Sequence, residues 1–350
     1  MRVCGMVVAA ALAALPIVAN AQTPAPQPSA DLAAEQPSRV TILEENDSLY
    51  FNSDKHYTQG FRISDLFGGT PSPGSWWDDT FDFVGLAGPI FEHGGNTIRR
   101  TSVFAGQSIF TPKNLTLKPP DPKDRPYAGW AYGGISLMQE TNKHMLENFE
   151  IDLGVVGPGS LAKQAQNDFH QFIGAQQAQG WSDQLQHEFG GMLSYERYWK
   201  WTLFGDNSFG VDLIPEAGVT AGNVMTYGDV GGMLRIGKGL AADYGPVRVR
   251  PSLSGTDYFD INGLDNGHGW YFFVGTQGRA VGHNIFLDGN TFRESRSVPK
   301  KIFVGDAEAG FSILWNASLR TDFMVMTRSE EFRGQKTPDE VGTASLSFNW

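Results

Sequence analysis

The chain has 350 residues, of which 27 are basic and 38 are acidic, and its formal net charge is −11. This acidic balance argues against nucleic acid as a partner, since proteins that bind nucleic acids carry a surplus of Lys and Arg on their binding face. The single cysteine is Cys4, so disulfides, thiolate metal sites and a cysteine nucleophile are excluded for the chain beyond it.

The N-terminal residues predict an export signal. Arg2 supplies a positive charge, an apolar run follows it, and Ala19-Asn20-Ala21 has the small-x-small pattern that precedes a cleavage point. We therefore expect residues 1–21 to be a signal peptide that is removed. Residues 22–38 are rich in Pro, Ala and Gln and are expected to form a flexible lead-in to a domain spanning residues 39–350.

Alternation of apolar and polar residues predicts a large antiparallel β protein. The twelve predicted strands lie near 39–47, 56–66, 98–109, 127–140, 145–156, 188–204, 209–221, 227–238, 268–281, 301–315, 317–328 and 340–350. An edge strand of a soluble sandwich also alternates. The export signal, the strand lengths and the C-terminal aromatic Trp350 instead favour an all-β, twelve-stranded transmembrane barrel of the bacterial outer membrane. After the signal there is no apolar run long enough for a helical span.

An even number of strands places both termini on the periplasmic side and thereby assigns each connection to one side of the membrane. The longer connections expected outside are 48–55, 110–126, 157–187, 282–300 and 329–339. The stretches 67–97 and 239–267 fall on the periplasmic side although both are long for barrel turns. They predict either additional strands or a periplasmic cap.

One external connection predicts a short helix. Ser160 can cap it, apolar residues recur at helical spacing from Leu161 to Ile173, and Gly180 is expected to end it. The apolar face is expected to pack on the outer end of the barrel. Gln166 and His170 occupy the adjoining polar face, together with Asn167.

The candidate functional residues are all expected at the outer rim of the barrel. Asn46 and Asp47 end the first strand, Thr58 lies at the start of the second strand, and His170 lies on the loop helix. Amide and carboxylate oxygens are ligands that Ca²⁺ prefers, and a neutral histidine can take a proton from water near neutral pH. Each residue also has an ordinary role. Asn46 can be a turn former, Asp47 a solvated carboxylate, Thr58 a strand residue and His170 a surface histidine.

Other residues compete for a functional role. His56 and His283 lie near outer strand ends, whereas His187 and His268 next to strand starts are weaker candidates. Arg125 can pair with a phosphate, although a structural salt bridge is its more ordinary role. Lysines in the same connection can meet anionic head groups; they are Lys113, Lys118 and Lys123. The chain contains no G-x-S-x-G elbow, paired-histidine zinc motif or phosphate-binding glycine loop.

A series of short motifs, in order along the chain, resembles the lipid A 3′-O-deacylases of the outer membrane, the LpxR-like family. They are Glu45-Asn46-Asp47, His56-Tyr57-Thr58-Gln59-Gly60, Asp124-Arg125-Pro126-Tyr127-Ala128-Gly129, Gly154-Val155-Val156-Gly157-Pro158, Gln166-Asn167-Asp168-Phe169-His170, Trp181-Ser182-Asp183-Gln184-Leu185, Gly222-Asn223-Val224, Arg235-Ile236-Gly237 and Leu287-Asp288-Gly289-Asn290-Thr291.

The resemblance implies a twelve-stranded barrel with a calcium-dependent esterase site between the wall and a loop helix. Such an enzyme releases the 3′-linked acyloxyacyl group of lipid A. Asn46 and Asp47 would bind calcium, His170 would be the general base that activates water, and Thr58 would help to hold the ester or its oxyanion. This chain departs from the family pattern at Gln176, where some members have an acidic residue, and in the connection 113–123.

The sequence leaves three alternative functions open. An outer-membrane phospholipase would use similar chemistry, and a serine-nucleophile version would use Ser48 or Ser53 with a histidine. A non-enzymatic pore or binding barrel needs an open lumen, but twelve strands leave a narrow interior that side chains can fill. The lumen-facing candidates are Glu150, Asp152, Asp306, Glu308, Arg320 and Asp322. Lipid-facing and partner-facing apolar residues look alike, so the sequence assigns no oligomeric state.

Overall fold

The computed structural model describes residues 36–51, 55–91, 95–251 and 255–350. The predicted signal peptide and all but the last three residues of the lead-in lie outside the described residues. The twelve strands are β1 Arg39–Asn46, β2 His56–Leu66, β3 Thr97–Thr111, β4 Ala128–Thr141, β5 Met145–Val156, β6 Glu188–Trp199 continued as Trp201–Gly205, β7 Gly210–Gly222, β8 Met225–Lys238, β9 Gly269–Asn284, β10 Phe303–Asn316, β11 Leu319–Arg328 and β12 Asp339–Asn349.

The strands form a closed antiparallel barrel in which each strand pairs with its neighbours along the chain. β1 pairs with β2 and also with β12, with Arg39 opposite Asn349, so the first and last strands close the sheet. Both segments of β6, which Lys200 separates, pair with β7. The structure therefore confirms the predicted twelve-stranded barrel. Strand ends differ from the predicted ones by a few residues; β3, for example, runs on to Thr111.

The barrel has two ends that differ in their connections. Both described termini and the connections 67–96, 142–144, 206–209, 239–268 and 317–318 lie at one end, here called the terminal end. The remaining connections lie at the other end, here called the loop end. This division follows from the alternating direction of the strands, and it matches the assignment that strand parity predicted.

The outer face of the sheet is apolar and its inner face is charged, which is the reverse of a soluble protein. Large apolar side chains are exposed on the outer wall, the face that is turned away from the lumen, as the lipid-facing band of an outer-membrane barrel requires; they include Phe61, Ile63, Leu153, Leu193 and Phe272. Charged side chains are buried in the lumen. They include every residue predicted to face it, namely Glu150, Asp152, Asp306, Glu308, Arg320 and Asp322.

The described residues of the stretch 239–267, which are 239–251 and 255–267, form neither a pair of missed strands nor a cap beneath the barrel, because they fold into the lumen as a plug. Arg248 in this stretch donates from Nε to Glu45 at 2.7 Å and from Nη1 to Glu308 at 2.8 Å. Asp257 accepts hydrogen bonds from Arg62 and Ser64 on β2. Charged side chains that point from the strands into the lumen therefore form ion pairs with residues of the plug. The alternating pattern of the strands does not predict these pairs.

The plug leaves little free space. Three lumen cavities lined by described residues have volumes of about 10 to 20 Å³, which is close to the space that one water molecule needs. A lumen filled in this way does not resemble the open passage of a pore.

The other long stretch at the terminal end contains a helix instead of a missed strand. Helix α2, Trp76–Gly85, begins after Ser75, whose hydroxyl accepts a hydrogen bond from the Asp78 N–H. It packs on the outer wall through Phe81 and Val84, which contact Leu137 of β4. The other α-helices of the described residues are α1 Ser48–Phe51, α3 Ala162–Ile173 and α4 Ile285–Asp288. None of the described helices is long and apolar enough to span a bilayer.

Candidate functional site

Helix α3 is the predicted loop helix, with different ends. Ser160 closes a preceding 3₁₀ turn, in which its hydroxyl donates to the Gly157 carbonyl at 2.6 Å, and the α-helix begins at Ala162. It ends at Ile173 because Gly174 adopts a left-handed conformation with φ 71°. The prediction that Gly180 ends the helix is wrong, since an earlier glycine already supplies the conformation that a helix C-terminus needs.

The packing of α3 reverses the predicted one. Ala162, Gln166 and His170 recur at four-residue spacing and are buried, whereas the apolar Phe169 and Phe172 are exposed, Phe172 by 86%. The expectation that the apolar face packs on the barrel is therefore wrong. On a membrane barrel the surroundings of the outer wall are themselves apolar, so an apolar helix face can turn outward and the polar face can be enclosed against the wall.

A small apolar cluster attaches α3 to the outer wall near the loop end. Ala162 packs with Ile109 of β3, Tyr127 and Trp181. The indole N–H of Trp181 donates to the Gln166 side chain at 2.9 Å. These contacts hold the buried face of α3 over strands β3 and β4.

Gly129 of β4 allows this close approach. A Cβ atom at Gly129 would lie 2.1 Å from the Ser160 Oγ and 2.3 Å from the Ala162 Cβ. Only glycine therefore fits at the point where the turn and the first residue of α3 meet the wall.

The ring of His170 has a defined orientation. Its side chain is buried, with 6% of the residue exposed, and its Nδ1 lies 2.6 Å from the main-chain carbonyl oxygen of Gln176. A carbonyl can only accept, so Nδ1 carries the hydrogen and Nε2 is the basic nitrogen of the neutral ring. This is the tautomer that a general base needs. Gln176 contributes its main chain here, so the departure from an acidic residue at this position does not affect the contact.

The structure brings Asp47, Thr58 and Thr111 together at the loop end of β1, β2 and β3. The Asp47 N–H donates to the Thr58 carbonyl at 3.3 Å, and the hydroxyls of Thr58 and Thr111 are 2.8 Å apart. All three residues are buried. Thr58 is the extra residue of a β-bulge between Tyr57 and Gln59, and a bulge redirects a side chain relative to regular alternation.

This polar group lies on the outer wall. Along β3, Thr111 shares its face with Ile109, which contacts α3, while Phe110 points into the lumen cluster. Thr111 is not among the predicted site residues because β3 was predicted to end at residue 109. Extending the strand by one alternation would have placed it on the same face.

Asn46 has a local role in addition to its place beside this group. Its side-chain oxygen accepts hydrogen bonds from the Ser48 N–H at 2.8 Å and from the Ser48 hydroxyl at 2.5 Å. The neighbouring Asp47 Oδ2 accepts from the Lys55 N–H at 2.5 Å. Ser48 is thus bound to an amide rather than to a histidine, which does not support it as a nucleophile. Ser53 lies outside the described residues.

The rival histidines connect loops. His56 Nδ1 lies 2.6 Å from Asp339 Oδ1, and its Nε2 lies 3.5 Å from Asp124 Oδ1. His283 Nε2 lies 2.9 Å from the Asn223 carbonyl oxygen and its Nδ1 lies 3.3 Å from Asp288. Both rings bridge separate segments through both nitrogens, which is a structural arrangement.

Two further residues of the loop end have structural partners. Arg125 is fully buried and donates from Nη1 to Glu331 at 3.2 Å, which matches the salt bridge expected as its ordinary role. Burial tends to raise the pKa of Asp124, but the hydrogen bonds from His56 and from the N–H groups of Lys113 and Arg125 outweigh it and lower the pKa below its usual range.

The donor types at the Asp47 group fit a hard cation. Within the described ranges, no group of three or more His, Cys, Asp or Glu residues is arranged to hold a metal ion. Asp47 is accompanied by the amide of Asn46 and the hydroxyls of Thr58 and Thr111, all of them oxygen donors of the kind that calcium accepts. A calcium ion there would depend on a single described carboxylate.

A cleft opens beside the loop that follows α3. It has a volume of about 620 Å³ and is lined by Lys113, Asn114, Leu115, Thr116, Leu117, Asp121, Asp124 and Gln176. The residue that orients His170 therefore also lines a cleft with polar and charged walls. The predicted head-group lysine Lys113 belongs to this lining.

Comparisons with known proteins identify one family model and several similar solved structures. Residues 6–350 match the family model described as "Outer membrane protein LpxR". Among solved structures, LpxR from Salmonella typhimurium is similar with 18% identity and a TM-score of 0.71, over 89% of this chain and 100% of that chain. The beta domain of the Bordetella autotransporter BrkA has 10% identity and a TM-score of 0.44, over 91% of this chain and 100% of that one. No curated protein matches the chain.

Proposed function

The chain belongs to the LpxR family of outer membrane proteins, and on this premise we propose that it is a calcium-dependent lipid A 3′-O-deacylase. The reaction is hydrolysis of the ester that links an acyloxyacyl group to lipid A. The observation that carries the proposal is the enclosed polar face of α3, on which His170 is oriented by the Gln176 carbonyl against the outer wall. The loop end of the barrel would then face the cell exterior, where lipid A lies.

The position of the site suits a substrate that stays in the membrane. Apolar residues of α3, among them Phe169, Phe172 and Ile173, are exposed around a helix whose opposite face is polar. Acyl chains can contact this apolar surface while the ester reaches the polar space at the wall. The cleft lined by Lys113 and Gln176 adjoins that space and would receive the sugar–phosphate head group.

Each residue has a defined role in the proposed hydrolysis. His170 takes a proton from water at Nε2 as the water oxygen attacks the ester carbonyl carbon. The protonated ring then returns this proton to the sugar oxygen as the bond between that oxygen and the carbonyl carbon breaks and the acid is released. The hydroxyls of Thr58 and Thr111 are bonded to each other, so the one that accepts in this pair would donate its own hydrogen to the developing oxyanion. Asn46 and Asp47 would hold the calcium ion. When bound, calcium would supply Lewis-acid polarisation of the ester carbonyl.

The competing functions have less support. A pore requires an open lumen, and the plug anchored by Arg248 fills it. A phospholipase is the nearest enzymatic alternative, since the same groups can hydrolyse a glycerophospholipid ester. The substrate that the protein hydrolyses, lipid A or a glycerophospholipid, distinguishes the deacylase from the phospholipase.

An assay with purified protein in mixed micelles tests the proposal. Lipid A and a glycerophospholipid are offered separately, with calcium, with magnesium alone, and with a chelator. We expect release of an acyloxyacyl acid from lipid A with calcium only, and loss of release in Asp47→Asn. Release from the glycerophospholipid alone would replace the proposal with the phospholipase, and equal release in chelator would remove calcium from it.

A further inference from the structure

Helix α2 lies on the outer wall at the terminal end, at the opposite end of the barrel from α3. Arg99 of β3 donates to Asp78 at 2.7 Å and to Asp82 at 3.0 Å. Arg197 of β6 donates to the Pro89 carbonyl at 2.7 Å. Together with the packing of Phe81 on the wall, these contacts fix the buried face of the helix and the segment after it.

On the opposite side of α2, three large apolar side chains are exposed, and the exposed Asp79 lies among them. Trp76 is 66% exposed, Phe83 is 74% exposed and Leu86, which follows the last helical residue, is 84% exposed. Their spacing of seven and three residues places them on one side of a helix. We call these three residues the α2 apolar surface.

The depth of α2 can be estimated along β4. Gly129 meets the α3 region and Leu137 meets α2 on the same face of this strand. Eight residues at about 3.3 Å each span roughly 26 Å, which becomes about 20 Å along the barrel axis at a strand tilt of about 40°. The apolar band of an outer-membrane barrel is about 25 Å tall. The two helices therefore lie near opposite boundaries of the lipid-facing band.

From this placement, we propose that the α2 apolar surface inserts into the periplasmic phospholipid leaflet as an interfacial membrane anchor. The helix packs on the lipid-facing wall of the barrel through Phe81 and Val84, and tryptophan with large apolar residues is the composition that interfacial helices use. Residues 67–91 contain no Lys or Arg, and Asp78 and Asp82 are paired with Arg99. The exposed Asp79 would have to stay at the level of the head groups. Insertion is thus driven by apolar burial and does not require anionic lipid. The anchor is independent of the proposed hydrolase activity.

Accessibility of a spin label tests the anchor. Cys4 is the only cysteine, so single labels can be placed on a Cys4→Ser background at Phe83→Cys, at Leu153→Cys on the outer wall, and at Ser208→Cys in a turn of the terminal end. The full chain is folded into vesicles of phosphatidylethanolamine and phosphatidylglycerol. Collisions with oxygen, which concentrates in lipid, are compared with collisions with a water-soluble nickel complex.

We expect the oxygen-to-nickel ratio at residue 83 to exceed that at residue 208 severalfold and to approach the ratio at residue 153. The ratio should change little when phosphatidylglycerol is replaced by a zwitterionic lipid. A ratio equal to that at residue 208 would overturn the anchor. Shielding from both reagents would also overturn it, in favour of a second copy or another protein on the surface.

Quenching of tryptophan fluorescence tests the anchor without a spin label, which could itself promote insertion. Phospholipids brominated near the head group quench nearby tryptophans, and Trp76→Phe should remove part of that quenching while the folded barrel keeps its heat-modifiable mobility in gel electrophoresis. Identical quenching in the two proteins would contradict the proposal.

Discussion

The imidazole Nδ1 of His170 lies 2.6 Å from the main-chain carbonyl oxygen of Gln176. This contact joins the buried face of α3 to the loop that follows the helix, and it fixes which ring nitrogen is basic. The interaction uses no side-chain atom of Gln176. Catalysis is therefore expected to depend on the imidazole at 170 and on the course of the chain at 176, and not on the side chain at 176.

Substitutions at these two positions should have different effects. His170→Ala should lower the deacylation rate by about 10²–10⁴-fold, the usual contribution of general acid–base catalysis. Gln176→Ala should retain the rate within about threefold, as an exposed substitution that spares the main chain usually does. Initial rates at saturating lipid A give the comparison. A loss in Gln176→Ala as large as in His170→Ala would assign a role to the amide side chain.

Gly129 should be essential to the position of α3. Gly129→Val places side-chain atoms where Ser160 and Ala162 now lie, so we expect the turn and helix to be displaced and deacylation to be lost while the barrel still folds. Gly278→Ala on β9 is the matched control, because a Cβ there meets nothing within 4 Å. Proteolysis of the 157–187 connection and the deacylation rate report the two effects. Full activity in Gly129→Val would contradict the described packing.

Arg248 should stabilise the folded barrel. Its guanidinium joins the plug to Glu45 and Glu308 in the lumen, and removal of one partner of a buried charge pair typically costs about 3–5 kcal/mol. Arg248→Ala should therefore lower the free energy of unfolding in urea by an amount of that order. Lys143→Ala, which removes the half-exposed partner of Asp260, should change it by about 1 kcal/mol or less. Equal effects would show that the plug contacts contribute no special stability.

Acid should loosen the connection 112–127 at the loop end. Contacts with His56 and with the N–H groups of Lys113 and Arg125 lower the pKa of Asp124. A carboxyl with a lowered folded-state pKa contributes stability above its unfolded pKa, near 3.9, and this stability is lost as the pH falls through the folded value. The protection factors of the amides in this connection, which correct hydrogen exchange for its intrinsic pH dependence, should therefore fall below about pH 4. Asp124→Asn should remove most of this acid response, and an unchanged response in that variant would assign it to another group.

The fold followed from the sequence because a membrane barrel repeats one signal in every strand. Residues such as Leu346 and Phe348 alternate with polar neighbours, and the number and direction of the strands determine which connections share an end. The plug was not predictable in this way, because its contacts join residues that are far apart in the sequence. Arg248, for example, binds Glu45, which lies more than 200 residues earlier in the chain. No local pattern records such a pairing.

The end of the barrel that carries the candidate residues was predictable, and their geometry was not. Strand parity placed Asn46, Asp47, Thr58 and His170 at one end, but the β-bulge at Thr58 and the reversed packing of α3 depend on the tertiary structure. The reversal has a physical cause. A helix on the outer wall of a membrane barrel has lipid as its solvent, so the rule that apolar residues face the protein no longer applies.

Mass spectrometry of lipid A from cells that express this chain tests the central claim most directly. The wild-type chain, His170→Ala and the control His268→Ala, an exposed histidine at the opposite end of the barrel, are compared with their folding verified in the outer membrane. Lipid A that has lost one acyloxyacyl unit with the wild-type and control proteins, and that is intact with His170→Ala, is the predicted result. Intact lipid A with all three folded proteins would contradict the assignment of a lipid A deacylase.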